Sequence, residues 1–93
     1  MSTANLSFVR LAVTTVINRI LGESGRETQT FSDEDFLTEK IGLDSLDFAV
    51  MVVGLEQSLG VDPFRVSVPT VSTFGALVAL YESELKGKQG QRG

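Results

Sequence analysis

Residues 41–50 read IGLDSLDFAV, and their passage from a glycine through a short polar cluster into an apolar run decides how the middle of the chain folds. Asp44 and Ser45 are residue types that begin helices, because a short side-chain oxygen can accept from N–H groups that the first turn leaves unpaired. From there LDFAVMVVGLEQSL keeps helical spacing up to Gly60, a residue suited to a helix end. A helix over about 44–59 follows. With Leu46 at zero on a helical wheel of 100° per residue, Ala49, Val50 and Val53 fall within about 60° of it. Phe48, Val52, Leu55 and Leu59 gather on the opposite side. This helix therefore carries two opposed apolar stripes. Either both are covered, as in a central buried helix, or one faces the core and the other is a docking patch. Asp47 and Glu56 border the first stripe as a polar rim would. Gly54, mid-helix, costs about 1 kcal/mol relative to alanine and suits a close approach by a neighbouring element.

Working outward, Leu6, Val9, Val13, Val16, Ile17, Ile20 and Leu21 recur at three- and four-residue spacing and predict a helix over about 6–21. Asn5 or Ser7 would cap it and Gly22 would stop it. Phe74, Leu77, Val78, Tyr81 and Leu85 predict another over about 73–85, opened by Ser72 or Thr73. The remaining KGKQGQRG, residues 86–93, reads as a disordered tail. The connection from Gly22 to Lys40 is long for a structureless loop. Phe31, Phe36, Leu37 and Ile41 would pin it to the core, with a helical turn at SDEDF. Residues 61–71 hold both prolines, and Phe64, Val66 and Val68 alternate. A lone strand has no partner in this chain, so an irregular segment or short helix is expected there. The fold class is all-α, a small bundle of three main helices plus one short helix or irregular element. Residues 1–85 form the single domain.

Composition narrows the function. The 93 residues, 42% hydrophobic, make one small domain with a modest core. There is no cysteine and no histidine. A disulfide, a thiolate nucleophile, a cysteine metal site and any Ser-His arrangement are all excluded. The inventory argues against an enzyme, and no metal site is expected. Asp33-Glu34-Asp35 before Asp44 does not make a calcium loop, since Leu37 and Thr38 stand where an acidic ligand and a turn glycine are needed. The net charge is −4, and ten of the twelve acidic residues lie between Glu23 and Asp62. An acidic middle disfavours nucleic acid and anionic lipid and favours basic protein partners. No apolar run reaches membrane-spanning length, and the N-terminus lacks the pattern of a secretory signal. A monomeric cytoplasmic protein is the expectation.

Ser45 has two readings at this level. It is an ordinary first-turn residue, with Asp44 as the cap and a carboxylate favoured by the helix dipole. It is also a good place for a phosphate ester, which the unpaired N–H groups would stabilise. Asp44 would repel such a phosphate, which suggests a second use for it, such as helping to hold a divalent ion while an ester forms.

Gly42-Leu43-Asp44-Ser45-Leu46, continued by Asp47, resembles the G-x-D-S-L signature of the acyl carrier proteins. At ordinary residue usage a chance match in a chain this long is about one in several hundred. The likeness extends from about Ser7 to Leu85, through the long loop and the V-S-T-F that opens the last helix. The resemblance implies a free-standing acyl-carrier-like bundle whose serine, here Ser45, bears 4′-phosphopantetheine donated by coenzyme A through a magnesium-dependent phosphopantetheinyl transferase. Acyl groups would ride as thioesters on the thiol of that arm, so the sulfur would arrive with the prosthetic group. Partners implied are that transferase and acyl-activating or acyl-transferring enzymes and synthases. Carried over by position, Asp44 is the acidic neighbour used in loading. Leu46, Ala49, Val50 and Val53 form the docking stripe, and Asp47 and Glu56 form its acidic rim. Val52, Leu55 and Leu59 would face the core. Val50 and Gln57 stand where Glu is common in fatty-acid carriers, and no acid lies between Pro63 and Tyr81. Docking is therefore expected to be more apolar and less salt-sensitive than usual, in a specialised fatty-acid-like or polyketide pathway. The alternatives are an aminoacyl or aryl carrier, or an unmodified helical adaptor.

Overall fold

The computed structural model describes residues 2–64 and 71–90, with side chains for 8–64 and 71–87. Three helices run α1 Ser2–Glu23, α2 Ser45–Leu59 and α3 Phe74–Gly90, and the described residues contain no strand beyond an isolated bridge between Phe36 and Thr73. This is the expected all-α arrangement.

Each helix end has a local cause. α2 begins on Asp44, whose side chain accepts from the Asp47 N–H, and ends on Gly60 at φ 78°. α3 begins on Thr73, whose Oγ1 accepts from the Ala76 N–H at 3.2 Å. α1 departs from expectation at both ends. It starts at Ser2, so Asn5 and Ser7 lie inside it and do not cap it. It passes Gly22 and stops at Gly25, which takes the left-handed conformation at φ 81°. There the Arg26 N–H bonds the Leu21 carbonyl at 2.8 Å and the Gly25 N–H bonds that of Gly22 at 3.1 Å, the paired bonds of a Schellman ending. α3 likewise runs past Leu85, where a disordered tail was expected to begin. Gly87 disfavours helix by about 1 kcal/mol, but Leu85, Lys86, Lys88 and Gln89 around it are good helix formers. The expected short element and the expected tail fall partly on residues 65–70 and 91–93, outside the described residues, as do Val66, Val68 and the side chain of Leu6.

The core is where the helical stripes meet. Val9, Val13, Val16, Ile17, Ile20 and Leu21 of α1 are buried against Met51, Leu55 and Leu59 of α2 and Phe74, Leu77, Val78 and Tyr81 of α3. α2 reaches α1 closely at Gly54, where an added Cβ would stand 3.1 Å from Val16 Cγ1. That is the close approach its glycine suggested. Burying aliphatic side chains of this kind contributes about 1.5–3 kcal/mol each. Tyr81 is fully buried beside Phe64, and its hydroxyl has no hydrogen-bond partner among the described residues. Burial pushes its phenol above the ordinary value. A buried donor left unpaired costs stability, so Tyr81→Phe is expected to be neutral or to stabilise by about 1 kcal/mol in chemical denaturation. A loss of that size would mean the hydroxyl has a partner.

The long connection between α1 and α2 is held as a strap. Asn18 on α1 grips Gln29 reciprocally, its amide donating to the Gln29 carbonyl at 2.9 Å and accepting from the Gln29 N–H at 2.8 Å. Phe31 packs on Phe74 with ring centroids 5.2 Å apart. Further on, the Asp33 and Asp35 carbonyls accept from the Gly75 and Phe74 N–H groups, both at 2.9 Å, so the strap itself satisfies the start of α3. SDEDF does not form the expected helical turn. It makes a tight turn closed by the Asp35 N–H on the Ser32 carbonyl at 3.0 Å, and the helical-type turn comes later, with the Lys40 N–H on the Phe36 carbonyl. Leu37 and Ile41 are buried as expected, and so is Leu43; Phe36 is 48% exposed and does not plug the core.

Candidate functional site

The site is built from the end of the strap and the first turn of α2. Gly42 turns the chain with φ 92°, and Leu43 drops into the core. Asp44 then takes extended backbone dihedrals and caps the helix. Its Oδ1 accepts from the Asp47 N–H at 2.8 Å, and Asp47 Oδ2 accepts from the Asp44 N–H at 3.2 Å. This is a reciprocal capping box. The cap is thus Asp44, with Asp47 as its counterpart, and Ser45 is the first helical residue.

Ser45 is exposed, and its side chain makes no hydrogen bond among the described residues. The leading N–H groups of α2 lie ahead of the helical ladder beside it, and the positive end of the helix dipole favours an anion there. Ser45 is one of the residues that line an open groove of about 670 Å³. Phe36, Leu37, Leu43, Phe48 and Val71 give the groove apolar walls, and Thr38, Glu39, Asp44 and Ser72 add polar ones. Phe36 is therefore a wall of the site, which its expected place in the core did not foresee. Glu39, Thr38 and Val71 were likewise not expected at the site, because nothing in their spacing relates them to Ser45.

Of the two α2 stripes, one is covered and the other is not. Met51, Gly54, Leu55 and Leu59 are buried, and Phe48 and Val52 pack partly against the core. Leu46, Val50 and Val53 are 71%, 47% and 55% exposed, and Ala49 and Glu56 are exposed alongside them. Met51 was not singled out in sequence, since it sits between the two stripes on the wheel.

Asp47 faces inward. Its side chain is only 13% exposed and takes a hydrogen bond from Arg26 Nη2 at 2.7 Å as well as the Asp44 N–H. The Arg26 hydrogen bond is the largest cause holding its carboxyl below the ordinary carboxylate value. A carboxylate whose folded-state pKa is depressed contributes stability above its unfolded value, and that contribution is lost as pH falls through the folded one. Asp47→Asn is therefore expected to lower the Tm at neutral pH, with the gap to wild type closing as pH drops below about 4. A gap unchanged by acid would contradict this charge role.

Arg26 is a further residue the sequence did not point to. Its Nε donates to Ser24 Oγ, its Nη1 to the Gly42 carbonyl and its Nη2 to Asp47, each at 2.7 Å. Only its position in the acidic stretch was visible beforehand. Among the described residues, no helix is long and apolar enough to cross a membrane.

Residues 12–80 match a family model described as "Phosphopantetheine attachment site". No curated protein and no solved structure matches the chain.

Proposed function

The chain belongs to the phosphopantetheine-attachment family, whose members carry 4′-phosphopantetheine on a serine, and from that premise we propose that Ser45 is the attachment point. Proteins of this family are carriers of thioesters and are generally non-catalytic. The observation that carries the assignment is the exposed hydroxyl of Ser45, free of hydrogen bonds among the described residues at the first position of α2, beside a cap that Asp44 already supplies. The group fits there, because a phosphodiester would meet unpaired N–H groups and the positive end of the helix dipole.

In loading, Ser45 Oγ forms the new bond to phosphorus as the pyrophosphate linkage of coenzyme A breaks. The hydroxyl proton passes to a base of the transferase, and the adenosine bisphosphate half of coenzyme A departs. Asp44, exposed beside Ser45, would offer a carboxylate to the divalent ion that the transferase uses. Once bound, the arm supplies the thiol on which acyl groups ride as thioesters. The chain's own part is to present the serine and a handle for partner enzymes, without catalysis.

That handle is the uncovered stripe of Leu46, Ala49, Val50 and Val53, with Asp44 and Glu56 as acidic flanks. Asp47 serves it indirectly by ordering the first turn. Because Val50 and Gln57 are uncharged, docking relies on apolar contact and loses little with salt. Val53→Asp, on an exposed helical position, is expected to leave the Tm within about 0.5 kcal/mol of wild type in equivalent stability. It should weaken loading about tenfold, roughly 1.4 kcal/mol. Unchanged loading would remove Val53 from the handle. We take residues 1–85 as one carrier domain, whose last helix runs on to Gly90. The D-S-L-D sequence leans to acyl rather than aminoacyl or aryl cargo, in a specialised fatty-acid-like or polyketide pathway.

The test is intact mass. After incubation with coenzyme A, magnesium and a broad-specificity phosphopantetheinyl transferase, the chain should gain one phosphopantetheinyl unit. No gain overturns the proposal.

A further inference from the structure

Arg26 lies directly after the Schellman ending of α1, where Gly25 turns the chain and the Arg26 N–H bonds the Leu21 carbonyl at 2.8 Å. Its backbone is therefore fixed to α1, and its guanidinium reaches the segment that bears Ser45. Of the three acceptors it meets, two lie on either side of that segment. The Gly42 carbonyl precedes the serine and Asp47 Oδ2 follows it, with Ser24 Oγ steadying the fork from behind, all at 2.7 Å. A planar guanidinium with donors in fixed directions can serve three such acceptors at once, and a lysine ammonium on a flexible stem cannot hold the same geometry.

The segment between the two clamped points has few other anchors of its own. Leu43 is buried and its N–H bonds the Leu37 carbonyl at 2.9 Å, while Asp44, Ser45 and Leu46 are exposed. The capping box shares Asp47 with the clamp, so losing Arg26 would remove the charged donor that holds the Asp47 carboxylate in place. Gly42 would at the same time lose the partner of its carbonyl.

On the reading of Ser45 as the attachment site, we infer that Arg26 is a positioning residue for loading. It ties the end of α1 to both flanks of the serine, so that the hydroxyl meets the transferase in one geometry. A misplaced nucleophile costs rate even when the complex still forms. Ala49, Val50 and Val53, the greater part of the docking stripe, lie beyond the clamped segment, so the loss of Arg26 should appear mainly in kcat and leave KM nearly as it was.

The test compares full-length wild type, Arg26→Ala and Arg26→Lys in steady-state loading with coenzyme A, magnesium and a phosphopantetheinyl transferase. Amide hydrogen exchange is measured on the same unloaded samples. Both variants are expected to lose about tenfold in kcat with KM within about twofold. Exchange should accelerate over residues 42–47 and stay slow at Met51, Leu55 and Leu77. Wild-type kcat in either variant overturns the inference, and so does exchange accelerated throughout all three helices in both variants. A purely structural Arg26 would be read as that second result. Failure of the wild type itself to accept the group would overturn the attachment site along with the inference. Normal wild-type loading with normal loading of both variants would overturn the inference alone.

Discussion

Ser45→Ala is expected to abolish loading while leaving the thermal unfolding of the chain nearly unchanged. The separation of the two effects follows from the local hydrogen bonding. Asp44, with Asp47, makes the capping box, and the Ser45 hydroxyl bonds to nothing among the described residues. Alanine at an exposed first-turn position is a good helix former, so the change should lie within about 0.5 kcal/mol. Asp44→Ala removes the cap and should cost about 1 kcal/mol. For a domain this size that corresponds to a Tm shift of about 4–8 °C. Intact mass and thermal unfolding on the two variants read these outcomes directly. If Ser45→Ala were destabilised as much as Asp44→Ala, the serine would be a structural cap. If it still gained the unit, another hydroxyl would be the tether.

The second large effect is on the strap. Gly75→Ala places a Cβ 2.7 Å from Asp33 Cβ and 3.0 Å from the Asp33 carbonyl oxygen. With the Asp33 Cα at 3.1 Å, two of the three nearest atoms are backbone, so no side-chain rotation relieves the collision, and the strap has to move away from α3. Moving it strains the Gly75 and Phe74 N–H bonds to Asp33 and Asp35 and the Leu37 N–H bond to the Ser72 carbonyl. The Arg10 pair with Asp33, at 2.8 Å, is exposed on both sides and contributes little. Overpacking and lost backbone bonds outweigh the gain in helix propensity. The net cost is about 2 kcal/mol, or a Tm lower by about 8–16 °C. Because the strap walls the groove beside Ser45, exchange over residues 33–40 should accelerate as well. A Tm within about 2 °C of wild type would show that the strap yields without cost.

What the sequence could and could not convey follows the range of each interaction. The start and end of α2 were legible because a capping box and a left-handed glycine are local, spanning Asp44–Asp47 and Glu56–Gly60. The end of α1 was not, since Gly22 and Gly25 are equally good candidates in sequence and only the backbone bonds of Leu21 and Gly22 select the second. Periodicity revealed two stripes on α2 but could not say which one α1 and α3 would cover. Phe36, expected to pin the strap to the core, is exposed instead, and Leu43, given no place beforehand, is buried. Hydrophobicity ranks both as core, while the bridge that pairs Phe36 with Thr73 joins residues 37 positions apart and has no local signal. Arg26 was the least legible of all. Its partners Gly42 and Asp47 lie 16 and 21 residues away, and no local pattern joins them. Ser45, the proposed attachment point, stood out in sequence through its resemblance to a family signature, and its hydroxyl makes no hydrogen bond among the described residues.

The most direct measurement is fragmentation mass spectrometry of the wild-type chain after incubation with coenzyme A, magnesium and the transferase. The expected result is one phosphopantetheinyl unit, carried by the fragment that contains Ser45 and by no other. A chain without the unit, or with the unit on another serine such as Ser58 or Ser72, would contradict the assignment.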